Sequence, residues 1–248
     1  MKKLNTLFLI LTLSTGCSQE IVSSKYAESI NSNDLEDLLS VYSSDGFEGR
    51  QTGTKGDRTA ANFLRDFYIS NKIGPALNTI DYFQPYQLNL PGKMYTFNYS
   101  FPSTLRGYDR YAQGDNFVDT QNVASVIEGE IYPESYLIIT GHLDHVGING
   151  DEVYNGADDN GSGTVSILEI AQAFQEAVED GVRPKRSVVF LHVSGEEEGL
   201  LGSEYYVNNS LYPLENTFAT LNLDMIGRTD PNRGYDCLLY TSDAADES

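Results

Sequence analysis

Apolar residues change their spacing several times along this chain, and each change marks an element. Leu35, Leu38, Leu39 and Tyr42 recur at three- and four-residue intervals, which predicts a helix capped by Asn33 and Asp34. Phe47-Glu48-Gly49-Arg50 and Gly53-Thr54-Lys55-Gly56 then read as turns, and Ala60, Phe63, Leu64 and Phe67 as a second helix that stops before Gly74-Pro75. From Tyr82 to Val126 apolar and polar residues alternate, the signature of strands and hairpins. Asn122–Ile127 and Tyr136–Thr140 read as neighbouring strands of one sheet. Ile167, Ile170, Ala171 and Phe174 share one face of a third helix, from about Gly163 to Ala177. Ser187–Val193 and Phe218–Ile226 are continuous apolar runs, which predicts strands covered on both faces.

Strand, helix, strand, helix, strand is the order of an α/β fold with a mostly parallel, mixed central sheet flanked by helices. No internal repeat and no linker divides it. The reading is a single domain over 33–236, after a polar tether at 18–32, with a last stretch, 237–248, that continues no recognisable element. A chain of 248 residues, 40% hydrophobic, can bury the core that such a domain needs. The net charge of -20 narrows the partners: phosphate contacts need Lys and Arg, so nucleic acid is excluded, while metal ions and cationic substrates stay open.

The first residues have a short basic start, an apolar run from Leu7 to Leu13 and a small-residue exit. This predicts a secretory signal over 1–17, because the run is too short to span a bilayer. Gly16-Cys17 resembles the cleavage and lipidation site of a bacterial lipoprotein, although Ser14 stands where a leucine is usual. Plain secretion with an incidental Cys17 is the alternative. Either way the expectation is an exported chain, lipid-anchored in the bacterial cell envelope or secreted, that meets a membrane only through its N-terminal anchor. The two cysteines, Cys17 and Cys237, offer no Cys-based zinc site and no thiol nucleophile.

Candidate chemistry gathers where the predicted strands end. His142 and Asp144 follow one strand, Glu196, Glu197 and Glu198 the next, and Asp224 closes a third; Asp158 and Asp159 lie in the loop before a helix. Parallel strands bring their carboxyl ends to one edge, where so many negative charges would repel one another and resist desolvation. A divalent cation removes that conflict, and zinc accepts this mixture of imidazole and carboxylate. Each piece has a plainer reading. His142 alone could be a hydrogen-bonded strand-end histidine, Asp158-Asp159-Asn160 a turn and helix cap, Glu196 to Glu198 a solvated charge run, and Asp224 a terminating carboxylate. Joint placement at strand exits is what points to a metal.

The phrases G-H-L-D-H-V-G, N-G-A-D-D-N-G-S-G, S-G-E-E-E-G-L-L-G-S and L-N-L-D-M-I-G resemble the M28 family of zinc aminopeptidases, and F-E-G-R and G-T-K-G are similar to its N-terminal region. The likeness covers about Asn33 to Arg228. It implies a zinc-exopeptidase-like fold and hydrolysis of peptide bonds at the amino end of peptide substrates. It also implies that His142 and Asp224 bind one zinc, that Asp159 bridges two, and that Glu197 binds the second. Glu196 would be the general base and Asp144 would hold the His142 imidazole, with no role for Glu198. A single-zinc glutaminyl cyclase and a catalytically dead binding module of the same architecture are the competing readings.

The resemblance also implies a further histidine ligand downstream of Asp224, and none follows in this sequence. His192 lies inside an apolar run, which predicts a buried, hydrogen-bonded role, and His145 is expected to shape its loop and not to replace that ligand. The expectation is one well-liganded zinc site and one defective one. The stretch from Cys237 resembles a foreign tail on a domain lacking its C-terminal part, so this chain is expected to be weakly active, with one sheet edge exposed.

Overall fold

The computed structural model describes residues 25–89, 96–98 and 117–228. The expected signal segment with Cys17 and the stretch from Cys237 lie outside those residues. Helix α1 (Ser32–Tyr42) begins earlier than its apolar spacing predicts, because the cap is Asn31 and not Asn33 or Asp34. Asn31 is extended, so its side-chain oxygen can accept from the amides of Asn33 and Asp34 at 3.0 and 3.1 Å, while its Nδ2 donates to the Asp34 carboxylate. Helix α2 (Lys55–Ser70) is capped by Thr54 and buries Ala60, Ala61, Leu64 and Tyr68.

The remaining elements are β1 (Gly74–Pro75), β2 (Phe83–Asn89), β3 (Thr96–Asn98), β4 (Phe117–Ile127), β5 (Tyr132–His142), the small hairpin β6 (Gly147–Asn149) and β7 (Glu152–Tyr154), α3 (Gly163–Glu179), β8 (Arg186–Val193), α4 (Leu201–Asn208) and β9 (Thr217–Asn222). The main sheet runs β3-β2-β4-β8-β5-β9, with β1 on β4. It is mixed: β8, β5 and β9 are parallel to one another, and the pairs on the β4 side are antiparallel. Helical connections through α3 and α4 give the parallel part, and that part carries the candidate chemistry.

Both faces of β8 are covered, as its unbroken apolar run predicts. Val188 and Phe190 join Leu64, Tyr68, Ile167 and Leu168 under α2 and α3, and Leu35, Leu38 and Leu39 of α1 pack against this cluster. Val189, Leu191 and Val193 point the other way, to Tyr206 of α4, Leu211 and Tyr212. Strand β9 departs from the expectation. It ends at Asn222, and Phe218 and Leu221 are 63% and 39% exposed. Among the described residues it pairs only with β5, which leaves its outer edge open, and the Arg186 guanidinium lies over the Phe218 ring at 4.1 Å. No helix among the described residues is long and apolar enough to cross a membrane.

Candidate metal centre

The parallel strands put their carboxyl ends at one edge, and the predicted residues meet there. His142 is the last residue of β5. Its Nε2 lies 3.1 Å from Asp159, 3.5 Å from Asp224 and 3.9 Å from Glu196, each to a carboxylate oxygen. Three sets of donor atoms lie within 4.8 Å of one another: His142 with Asp159 and Asp224, His142 with Glu196 and Glu197, and His145 with Asp159 and Glu197. His142, Asp159 and Glu197 each belong to two of them.

Hydrogen bonds between loops set this geometry. Thr164, at the start of α3, donates to the His142 carbonyl at 2.8 Å. Asn160 accepts from Gly163 and Met225 and donates to the Leu223 carbonyl, so it starts α3 and ties the loop to the segment carrying Asp224. The plainer reading of that loop thus holds for Asn160, while Asp159 faces the cluster. Glu198 enters none of these donor sets.

Asp144 sits against the His142 imidazole, where the resemblance puts it, and makes further bonds. His142 Nδ1 is 3.1 Å from the Asp144 backbone carbonyl and 3.6 Å from its carboxylate, so the carbonyl takes the hydrogen bond. The fully buried carboxylate instead accepts from Thr52 Oγ1 at 2.8 Å and from the amides of Glu196 and Glu197 at 3.2 and 3.4 Å. Asp144 therefore holds the turn that presents both glutamates.

Electrostatics fit a cation. Burial works to lower the His142 pKa, but the carboxylates of Asp144 and Asp224 outweigh it and push the imidazole up to about 10. The hydrogen bond with His142 in turn draws Asp224 below the ordinary carboxylate range. Burial, with Asp144, Glu197 and Asp224 nearby, raises Glu196. A site that pulls a proton onto an imidazole this firmly has the negative field and the donor types that a divalent cation needs.

Arg50 is the residue that periodicity could not reveal. It is fully buried, over the Tyr42 ring at 4.7 Å. Its guanidinium donates to the carbonyls of Leu143, Tyr42, Asn155 and Gly156 at 3.0, 3.2, 2.7 and 2.8 Å. It fixes the loop after β5 and the approach to Asp158 and Asp159 without an ion pair to the cluster. An arginine between two turns carries no repeat, and only the likeness of F-E-G-R to a known family marked it.

The remaining histidines divide. His192 is buried with Nε2 2.7 Å from the Tyr68 hydroxyl, and burial holds its pKa down at about 3, in keeping with its apolar surroundings in sequence. His145 sits at the cluster, with Nδ1 2.6 Å from Glu197 Oε1. Beside the cluster, a cavity of about 360 Å³ is lined by Ile138, Leu191, Val193, Leu200, Val207 and Leu214, together with His142, Glu196 and Asp224.

An α/β chain with imidazole and carboxylate donors converging at parallel strand ends has the architecture of a metal-dependent hydrolase. Residues 122–248, just over half of the chain, match the sequence profile of peptidase family M28, and the chain belongs to that family. Leupeptin-inactivating enzyme 1 of Streptomyces exfoliatus is 42% identical over 105 residues, 42% of this chain and 22% of that protein. A probable zinc metalloprotease of Pyricularia oryzae is 31% identical over 120 residues, 47% of this chain and 23% of that protein. The chain thus spans less than a quarter of either curated relative. Among solved structures, the aminopeptidase from Aneurinibacillus sp. strain AM-1 superposes with a TM-score of 0.60 at 14% identity, covering 83% of this chain and 73% of its own. Porphyromonas gingivalis glutaminyl cyclase gives 0.55 at 18% identity, covering 81% and 61%. At these identities the likeness is one of fold, which both structures share with this chain.

Proposed function

We propose that this chain is a zinc-dependent aminopeptidase, removing the residue at the amino end of peptides. The observation that carries the reading is the meeting of His142, Asp159 and Asp224 with Glu196 and Glu197 beside an apolar cavity. His142, Asp159 and Asp224 would hold one zinc, and Asp159 with Glu197 would contribute to a second position. When bound, zinc supplies Lewis acidity toward the scissile carbonyl and toward water.

The protein's own groups do the rest. Glu196 acts as the general base, taking a proton from the attacking water and passing it to the leaving nitrogen. Asp144 keeps Glu196 in place through its backbone amide. The carboxylate cluster favours the ammonium group of a peptide's free amino end, and the cavity lined by Ile138, Leu191 and Val193 suits an apolar first side chain. Export, suggested by the N-terminal signal pattern, belongs to the same proposal.

Hydrolysis of a leucyl anilide, measured with and without a chelator and in Glu196→Gln, tests it. Chelator-sensitive release that E196Q abolishes is the expected result. Cyclisation of a glutamine-led peptide without anilide hydrolysis would reassign the chain to cyclase chemistry, and failure to bind zinc would make it a binding module.

A further inference from the structure

The contact between His145 and Glu197 is too close for two ligands of one metal. Donors bound to a tetrahedral zinc at about 2.0–2.2 Å stand roughly 3.3 Å apart. The 2.6 Å from Nδ1 to Oε1 is instead the distance of a short hydrogen bond, which the imidazole makes when it carries its proton on Nδ1. We propose that His145 is a positioning residue: it donates from Nδ1 to Oε1 of Glu197 and leaves Oε2 for the metal position shared with Asp159. The proposal rests on the zinc reading above, and it deepens that reading by giving a role to a histidine outside the family's ligand set.

The ring sits in a built slot. Gly156, at φ +54°, provides the space, since a Cβ there would lie 2.5 Å from Cδ2 and 2.6 Å from Cγ of the imidazole. The His145 amide donates to the Arg50 carbonyl at 3.2 Å, and the Arg50 side chain holds the carbonyls of Leu143, Asn155 and Gly156. Backbone on both sides of the ring is therefore anchored to one buried residue. The two side chains are 14% and 21% exposed, so water competes little for the bond. A carboxylate with one oxygen committed in this way loses its freedom to rotate away from the cation.

Zinc titration of the full chain by calorimetry, on wild type, H145N, H145Q, E197Q and H142A, separates the outcomes. An asparagine amide sits near Nδ1 and a glutamine amide near Nε2, so H145N keeps the donor and H145Q misplaces it. H145Q is expected to weaken zinc at the Glu197 position by about 10- to 100-fold, with H145N within about threefold of wild type and the number of ions at saturation unchanged in both. Equal weakening in H145N and H145Q overturns the proposal, as does no weakening in H145Q while E197Q loses zinc. A His145 variant that saturates with one zinc fewer also overturns it, by making His145 a ligand. If neither E197Q nor H142A alters zinc uptake, the zinc reading fails and this proposal with it.

Discussion

Asp57 offers a test that depends on neither zinc nor substrate. Its carboxylate is fully buried and accepts from the Gly53 amide at 2.9 Å and from the hydroxyls of Thr120 and Ser194 at 2.8 and 2.9 Å. Burial raises its pKa from 3.8 to about 7, and the buried Asp144 carboxylate pushes the same way, while the three hydrogen bonds oppose them. As pH rises from 3.8 the unfolded chain ionises freely while the folded chain keeps its proton, so stability falls until about pH 7 and the loss is then constant. The slope approaches about 1.4 kcal/mol per pH unit, and two units of that window lie above pH 5, so this group should cost about 2 to 3 kcal/mol between pH 5 and pH 8.

In Asp57→Asn the amide oxygen can keep Gly53 and Thr120, and the amide nitrogen can donate to Ser194. Ser194 then turns its own proton to Thr120, 3.0 Å away. No partner is stranded and the ionisation is gone. Urea unfolding of metal-free wild type and D57N at both pH values measures the difference directly, with D57N gaining about 2 to 3 kcal/mol relative to wild type at the higher pH. A stability difference that does not change with pH, or one that moves against D57N as pH rises, would refute the reasoning.

The other expectations concern the site. Glu196→Gln should lower the rate of anilide hydrolysis by about 10²- to 10⁴-fold while leaving zinc content and melting temperature near wild type, since it removes the base and keeps His142, Asp159, Glu197 and Asp224 as donors. Arg50→Met should destabilise the fold by about 3 kcal/mol or more in chemical denaturation, because it strips hydrogen bonds from four backbone carbonyls. Removal of metal by chelator should abolish peptidase activity and lower the melting temperature, and added zinc should restore both. Asp159→Ala should reduce zinc binding more than Asp224→Ala does, because Asp159 belongs to two donor sets and Asp224 to one.

Periodicity carried the helices and β8, where one residue after another must face a packed surface. It carried less at the sheet edges. The apolar run after Phe218 has the composition of a covered strand, yet cover comes from neighbours and not from the run itself. Antiparallel pairing of β2 with β4 and of β4 with β8 is likewise a matter of tertiary partners that no local pattern encodes. In the site, His142, Asp159, Glu196, Glu197 and Asp224 could be read because chemistry concentrates at strand exits. Arg50, Asn160 and the hydrogen bond of His145 could not, because each acts on backbone or on another side chain across 50 or more residues. The bonding of Asp144 was legible only as proximity to His142, and its bond to the glutamate turn appears once β5 and β8 are side by side.

The family match begins at residue 122, but the shape of the centre does not. Arg50 and Thr52, far upstream, hold the loops on which the donors ride. A shortened chain starting at the matched segment would contain every named donor and still lack the scaffold that aims them. The helix-turn-helix at the front is, in effect, a moulded backing plate for the chemistry behind it.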